Sequence, residues 1–227
     1  MPRSYPIPYV LLAFITVILS HSTQAADVWE TALAEMKLAT NAPTLHETNC
    51  IPLLLASFKP NPVVKCMVFL PDTTDEIYLR HNVRVKLATP SPTLLETISA
   101  LTNQSPIRVQ FRAPFLLFYA ARDFTTPVIQ VTDTNTWQKI QKISPIASFA
   151  FKDSDWSRIQ PRLQKLVKTK ITPWSTSVDS YHFYRHNLVG HDLTGAELIE
   201  AVALAGKTTV SVRKKTVAFE LDQRTPW

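Results

Sequence analysis

The chain has 227 residues, 45% of them hydrophobic and 19% charged, with a formal charge of +6. That balance describes a folded globular protein and excludes a disordered one. The three glycines, Gly190, Gly195 and Gly206, all lie near the C-terminus, so no glycine-rich phosphate loop can precede them.

In chain order the first element is a leader. Arg3 precedes an apolar run from Tyr9 to Leu19, and Thr23, Gln24 and Ala25 supply small residues where a signal peptidase would cut. The run is about 11 residues, short of the ~20 needed to cross a hydrocarbon core. Residues 1–25 are therefore expected to be a signal peptide, and residues 26–227 a single mature domain. The expected location is the periplasm, or the exterior if the host is eukaryotic. An exported chain meets little ATP, NAD or nucleic acid, so no cofactor, nucleotide or nucleic-acid partner is expected.

Ala26 to Leu38 reads as a helix, with Asp27 as cap, Glu30 three residues on, and Trp29, Leu33 and Met36 at helical spacing. A stretch broken by Pro52, Pro60 and Pro62 follows, read as a loop between Cys50 and Cys66. An even cysteine count in an exported chain implies one disulfide between them. Val63 to Leu70 is a β-rich run, and Glu76 to Leu87 ends as a strand. Thr93 to Leu101 is a short helix, and Ile107 to Phe111 alternates inward and outward as a strand does. Phe115 to Ala120 is apolar throughout, as a strand buried on both faces would be.

Val128 to Val131 and Phe149 to Phe151 are further strands, and Asp153 to Asp155 reads as a turn. Pro161 is placed at the first position of a helix through Leu163, Leu166 and Val167. Tyr181 to Tyr184 is a strand candidate. Thr194 to Ala205 is a helix with Thr194 as cap, Glu197 completing a capping box and Gly206 as its stop. Two strands, Thr208 to Val212 and Thr216 to Leu221, close the chain around the turn at Arg213, Lys214 and Lys215. The fold expected is α+β: a mainly antiparallel sheet with three to four short helices.

An internal echo runs through this order. Arg80, His81 and Asn82 lead to one helix and strand, and Arg185, His186 and Asn187 to another. Leu94, Glu96 and Ile98 then align with Leu198, Glu200 and Val202 after a one-residue gap. Residues 76–112 and 181–221 are thus candidates for two related strand–helix–strand units. Duplication and the general likeness of amphipathic helices explain the echo equally well.

Motifs carrying chemistry are few. The run AVALAGKT, from Ala201 to Thr208, matches a loose phosphate loop, but its Gly ends a helix where a phosphate loop must open one. Ser211 and Lys214 have S-x-x-K spacing, but the serine lies in a strand with no partner motifs. His182, His186 and His191 form a candidate zinc set, workable only if the first two share a helix face, since in a strand they lie about 13 Å apart. A hydrolase would draw on Asp179, Ser180, His182 and His191.

The remaining candidate is a basic stretch: Lys139, Lys142, Lys152, Arg158, Arg162, Lys165, Lys168 and Lys170, against only Asp153 and Asp155. Arg158, Arg162 and Lys165, with Trp156 beside them, form the candidate interaction site. It could engage an acidic protein or a membrane surface. The expected function is non-enzymatic: an exported protein that binds another macromolecule as an assembly factor, adaptor or inhibitor-type partner. A hydrolase and a histidine-based metal binder are the alternatives.

Overall fold

The computed structural model describes residues 28–38, 44–46, 50–59, 61–71, 83–120, 126–143, 145–172 and 185–221. The order is α1 (28–34), β1 (Thr44–His46), α2 (Cys50–Ser57), β2 (Cys66–Phe69), β3 (Arg84–Lys86), α3 (Leu94–Gln104), β4 (Arg108–Arg112) and β5 (Phe115–Tyr119). Then come β6 (Ile129–Val131), α4 (Thr134–Gln141), β7 (Phe149–Ser154), α5 (Trp156–Val167), β8 (Lys170–Thr172), β9 (His186–Gly190), α6 (Gly195–Ala205), β10 (Thr208–Arg213) and β11 (Thr216–Leu221). The α+β class holds, with six helices among the described residues and sheets more mixed than expected.

A five-stranded sheet, β4-β5-β2-β9-β7, is the central layer. Its strands β2 and β5 are apolar on both sides because both sides are covered. Met67, Phe69, Leu116 and Phe118 point into one core, shared with Leu45, Leu54, Val85, Leu94 and Leu101. Cys66, Val68, Phe115 and Leu117 point into the other, shared with Phe151, Trp156, Leu163, Leu188 and Val202. The second core is closed by a four-stranded sheet, β6-β10-β11-β8, and the first by the pair β1-β3. No helix of the described residues is long and apolar enough to cross a membrane.

The order of elements among the described residues repeats across two halves of the chain, in a register different from that of the sequence echo, whose first triplet, Arg80, His81 and Asn82, lies outside the described residues. Each half runs helix, strand, helix, two strands, helix, two strands. In each, a first strand pairs antiparallel with the strand before the last helix (β1 with β3, β7 with β9). In each, the closing hairpin adds in parallel to the strand after the second helix (β5 on β2, β11 on β8). The hairpin registers match residue for residue: Val109 faces Phe118 as Val210 faces Phe219, and Arg112 faces Phe115 as Arg213 faces Thr216. Strand β6 has no counterpart among the described residues.

This register corrects the alignment read from sequence. The capping boxes coincide, Thr93 with Thr194 and Glu96 with Glu197. Buried Ile98 and Leu101 therefore match buried Ile199 and Val202, one helical turn from the pairing that residue likeness suggested. The repeat is also longer than the units expected at 76–112 and 181–221, since it includes the first two helices of each half.

Three local expectations change. The Cys50–Cys66 stretch is not a loop: Cys50–Ser57 is a helix, with Pro52 in its first turn, where a missing N–H costs no internal bond. The bridge is not formed either. Both cysteines are free and fully buried, Cys50 in the core on one side of the central sheet and Cys66 in the core on the other. Helix α5 begins at Trp156, not Pro161. Asp155, read as part of a turn, is its cap, and Pro161 sits inside the helix. An internal Pro costs about 3 kcal/mol, offset here by the burial of Trp156, Ile159, Leu163 and Val167 along one face. The candidate strand at Tyr181 to Tyr184 lies outside the described residues.

Candidate functional site

Helix α5 carries most of the basic stretch. Its start is set by Asp155, whose carboxylate accepts from the Ser157 hydroxyl (2.5 Å) and the Arg158 amide (3.2 Å). Arg185 adds an ion pair at 3.3 Å. The Ser157 hydroxyl bond, then the Arg158 amide and the neighbouring arginine charges, hold the Asp155 carboxyl below its ordinary range against the opposing effect of burial. With one face locked into the core, Arg158, Arg162 and Lys165 fall on the opposite, exposed face at i, i+4 and i+7 spacing.

Two depressions flank this helix. One, about 620 Å³, has an apolar floor of Ile143, Ile146, Phe149 and Leu166 and a rim of Arg162, Lys165 and Lys168. The other, about 560 Å³, lies between Pro161, Gln164, Lys165, Lys168 and Lys170. Lys165 and Lys168 form the ridge between them. Arg162 is held in place: it donates to the Ala150 carbonyl at 3.0 Å and lies 4.9 Å over the Phe151 ring. Lys168, at φ 50°, ends the helix and turns the chain into β8. The surface is therefore a preformed cationic ridge beside an apolar groove, suited to an acidic segment with apolar side chains.

The structure brings three of the four expected interaction residues together and removes the fourth. Trp156 is 1% exposed and packs on His186 and Phe219, so it is a core residue. Ile143 and Ile146, which the sequence reading did not single out, supply the floor. Their three-residue spacing just beyond α4 was the only sequence signal for them.

The histidines separate. His182 lies outside the described residues, as do Asp179 and Ser180. His186 is buried in β9 against Trp156 and the helix end at Gly206. His191 is buried at another place, where its Nε2 accepts the Asn61 amide at 2.8 Å and its ring packs on Phe58. Because Nε2 accepts, the proton is on Nδ1, 3.4 Å from the Asp192 carboxylate. His186 opens the strand His186–Gly190. Among the described residues no three histidine, cysteine or acidic side chains are grouped to hold a metal. Gly206 ends α6, so the AGKT run has the wrong polarity for phosphate, and Ser211 lies in β10 with Lys214 in the following turn.

No family model, curated protein or solved structure matches this chain.

Proposed function

We propose that this protein is an exported, periplasmic binding protein that captures an acidic segment of an envelope protein on the α5 ridge and its groove. The observation that carries this reading is the cationic rim of Arg162, Lys165 and Lys168 around an apolar floor. Export rests on the leader at residues 1–25 and the charge sign on the chain's surplus of basic residues. An acidic partner gains speed and orientation from such a rim, and affinity from apolar contact on the floor.

Charge reversal tests it. The variant Arg158→Glu, Arg162→Glu, Lys165→Glu should lose capture of its partner from envelope extracts. Because Arg162 also braces Ala150, a second variant, Lys165→Glu with Lys168→Glu, changes charge without removing that bond. Its affinity for the captured partner should fall at least about tenfold, or ~1.4 kcal/mol, and the loss should shrink as salt rises. Unchanged capture by both variants would overturn the assignment.

A further inference from the structure

The two halves of the repeat meet edge to edge. Strand β2, at the edge of the first half's three strands, pairs antiparallel with β9, with Met67 opposite Val189 and Phe69 opposite Asn187. The His191 amide extends this seam to the Lys65 carbonyl at 3.0 Å. Each half owns both kinds of edge, and the chain joins one of each. Among the described residues the two left over are β8, which stands to β11 as β2 stands to β5, and β3, which stands to β1 as β9 stands to β7. Repeating the seam between β8 of one copy and β3 of the next would make a heterologous contact, the kind that builds rings or filaments.

The outer edges differ from the inner ones in two ways, and both oppose that contact. First, glutamine carboxamides occupy the strand backbone. Ile171, which matches Met67 in register, donates its N–H to Gln164 Oε1 (3.2 Å) and accepts Gln160 Nε2 at its carbonyl (3.0 Å). On β3, Gln104 does both at Lys86, accepting from the amide at 3.0 Å and donating to the carbonyl at 3.0 Å. A carboxamide offers the same donor and acceptor as a peptide unit, so it completes an edge as a neighbouring strand would.

Second, the side chains change character. Cys66 and Val68 of β2 correspond to Lys170 and Thr172 of β8, and β3 exposes Arg84 and Lys86. Laying β8 on β3 would gather Lys170, Arg84 and Lys86 along one short seam. Charged edge residues, lysine above all, are a common guard against strand pairing.

We propose that the repeat carries a head-to-tail self-assembly surface, used once at β2·β9, and that Gln104, Gln160, Gln164, Arg84, Lys86 and Lys170 close its outer copies. The partner admitted when they are removed is a second copy of this chain.

Two full-chain variants test this. One opens β8 (Gln160→Ala, Gln164→Ala, Lys170→Val) and the other opens β3 (Gln104→Ala, Arg84→Val, Lys86→Val). In sedimentation velocity the wild type and each variant alone should remain monomeric. An equimolar mixture of the two should form a 1:1 dimer, and the chain carrying all six changes should grow further. A mixture that stays monomeric with native circular dichroism, association of either variant alone, or association of the wild type overturns the proposal. If a multiple variant fails to fold, Gln164→Ala alone decides. Exchange of the Ile171 amide should speed up at least tenfold, and an unchanged rate removes the guard.

Discussion

At the residue scale, the two cysteines show how a compartment argument and a packing argument compete. An even count in an exported chain points to a bridge, but Cys50 and Cys66 face cores on opposite sides of one sheet. Burial pushes the Cys50 thiol up to about 12. It pushes Cys66 well above its ordinary value, with the Glu197 charge adding to the effect. A thiolate is the reactive form, so both should resist alkylation in the native state. Iodoacetamide followed by mass spectrometry should find both unmodified in native protein and both modified after denaturation. A bridged pair detected under non-reducing conditions would contradict this arrangement. Gly206 teaches a related lesson. Expected as the stop of its helix, it is the C-cap at φ −104°, and the left-handed residue is its neighbour Lys207 at φ 50°. Glycine is required there because the His186 ring occupies the space a Cβ would take.

At the scale of elements, capping decided which helices could be read. The helix at Gly195–Ala205 was legible from end to end because its capping box is written in sequence, Thr194 to Glu197, and both bonds form at 3.2 and 2.7 Å. Helix α2 was not, because CIPLLLAS is apolar nearly all round and shows no helical stripe. The start of α5 was misplaced because Pro161 drew the boundary, while Asp155 does the capping. Replacing Asp155 should test that role. Asp155→Ala should lower stability at neutral pH by about 0.5–2 kcal/mol. The folded-state carboxyl lies below its unfolded value, so its contribution is complete above roughly pH 4 and lost as pH falls through the folded value. Denaturant titrations should therefore show the gap between wild type and Asp155→Ala narrowing on acidification. A gap that widens would assign the effect to something other than the charged cap.

At the scale of the whole molecule, the sequence offered an echo that duplication and chance likeness explained equally well, and nothing of how two halves would join. That information lies in strand β2, whose four residues are all buried: Cys66 and Val68 on one face, Met67 and Phe69 on the other. Periodicity alone reports only that such a strand is covered on both sides, not by what. Here one cover belongs to the first half and the other to the second, so β2 is a member of both cores. The seam is reinforced by Arg112 and Glu200 at 2.6 Å and by His191 on Asn61. Two cores sharing a central strand should not melt separately. Met67→Ala removes side-chain volume from the first core only, at a cost of about 2–5 kcal/mol. If the halves are independent, only amides of the first half will lose protection. If β2 couples them, hydrogen exchange will accelerate equally at the Leu70 amide, bound to Phe118, and at the Val210 amide, bound to Val128 in the far sheet. We expect the second result, together with a single denaturant transition whose midpoint falls while its slope is preserved. Unchanged exchange at Val210 would mean that the shared strand joins two folding units without coupling them.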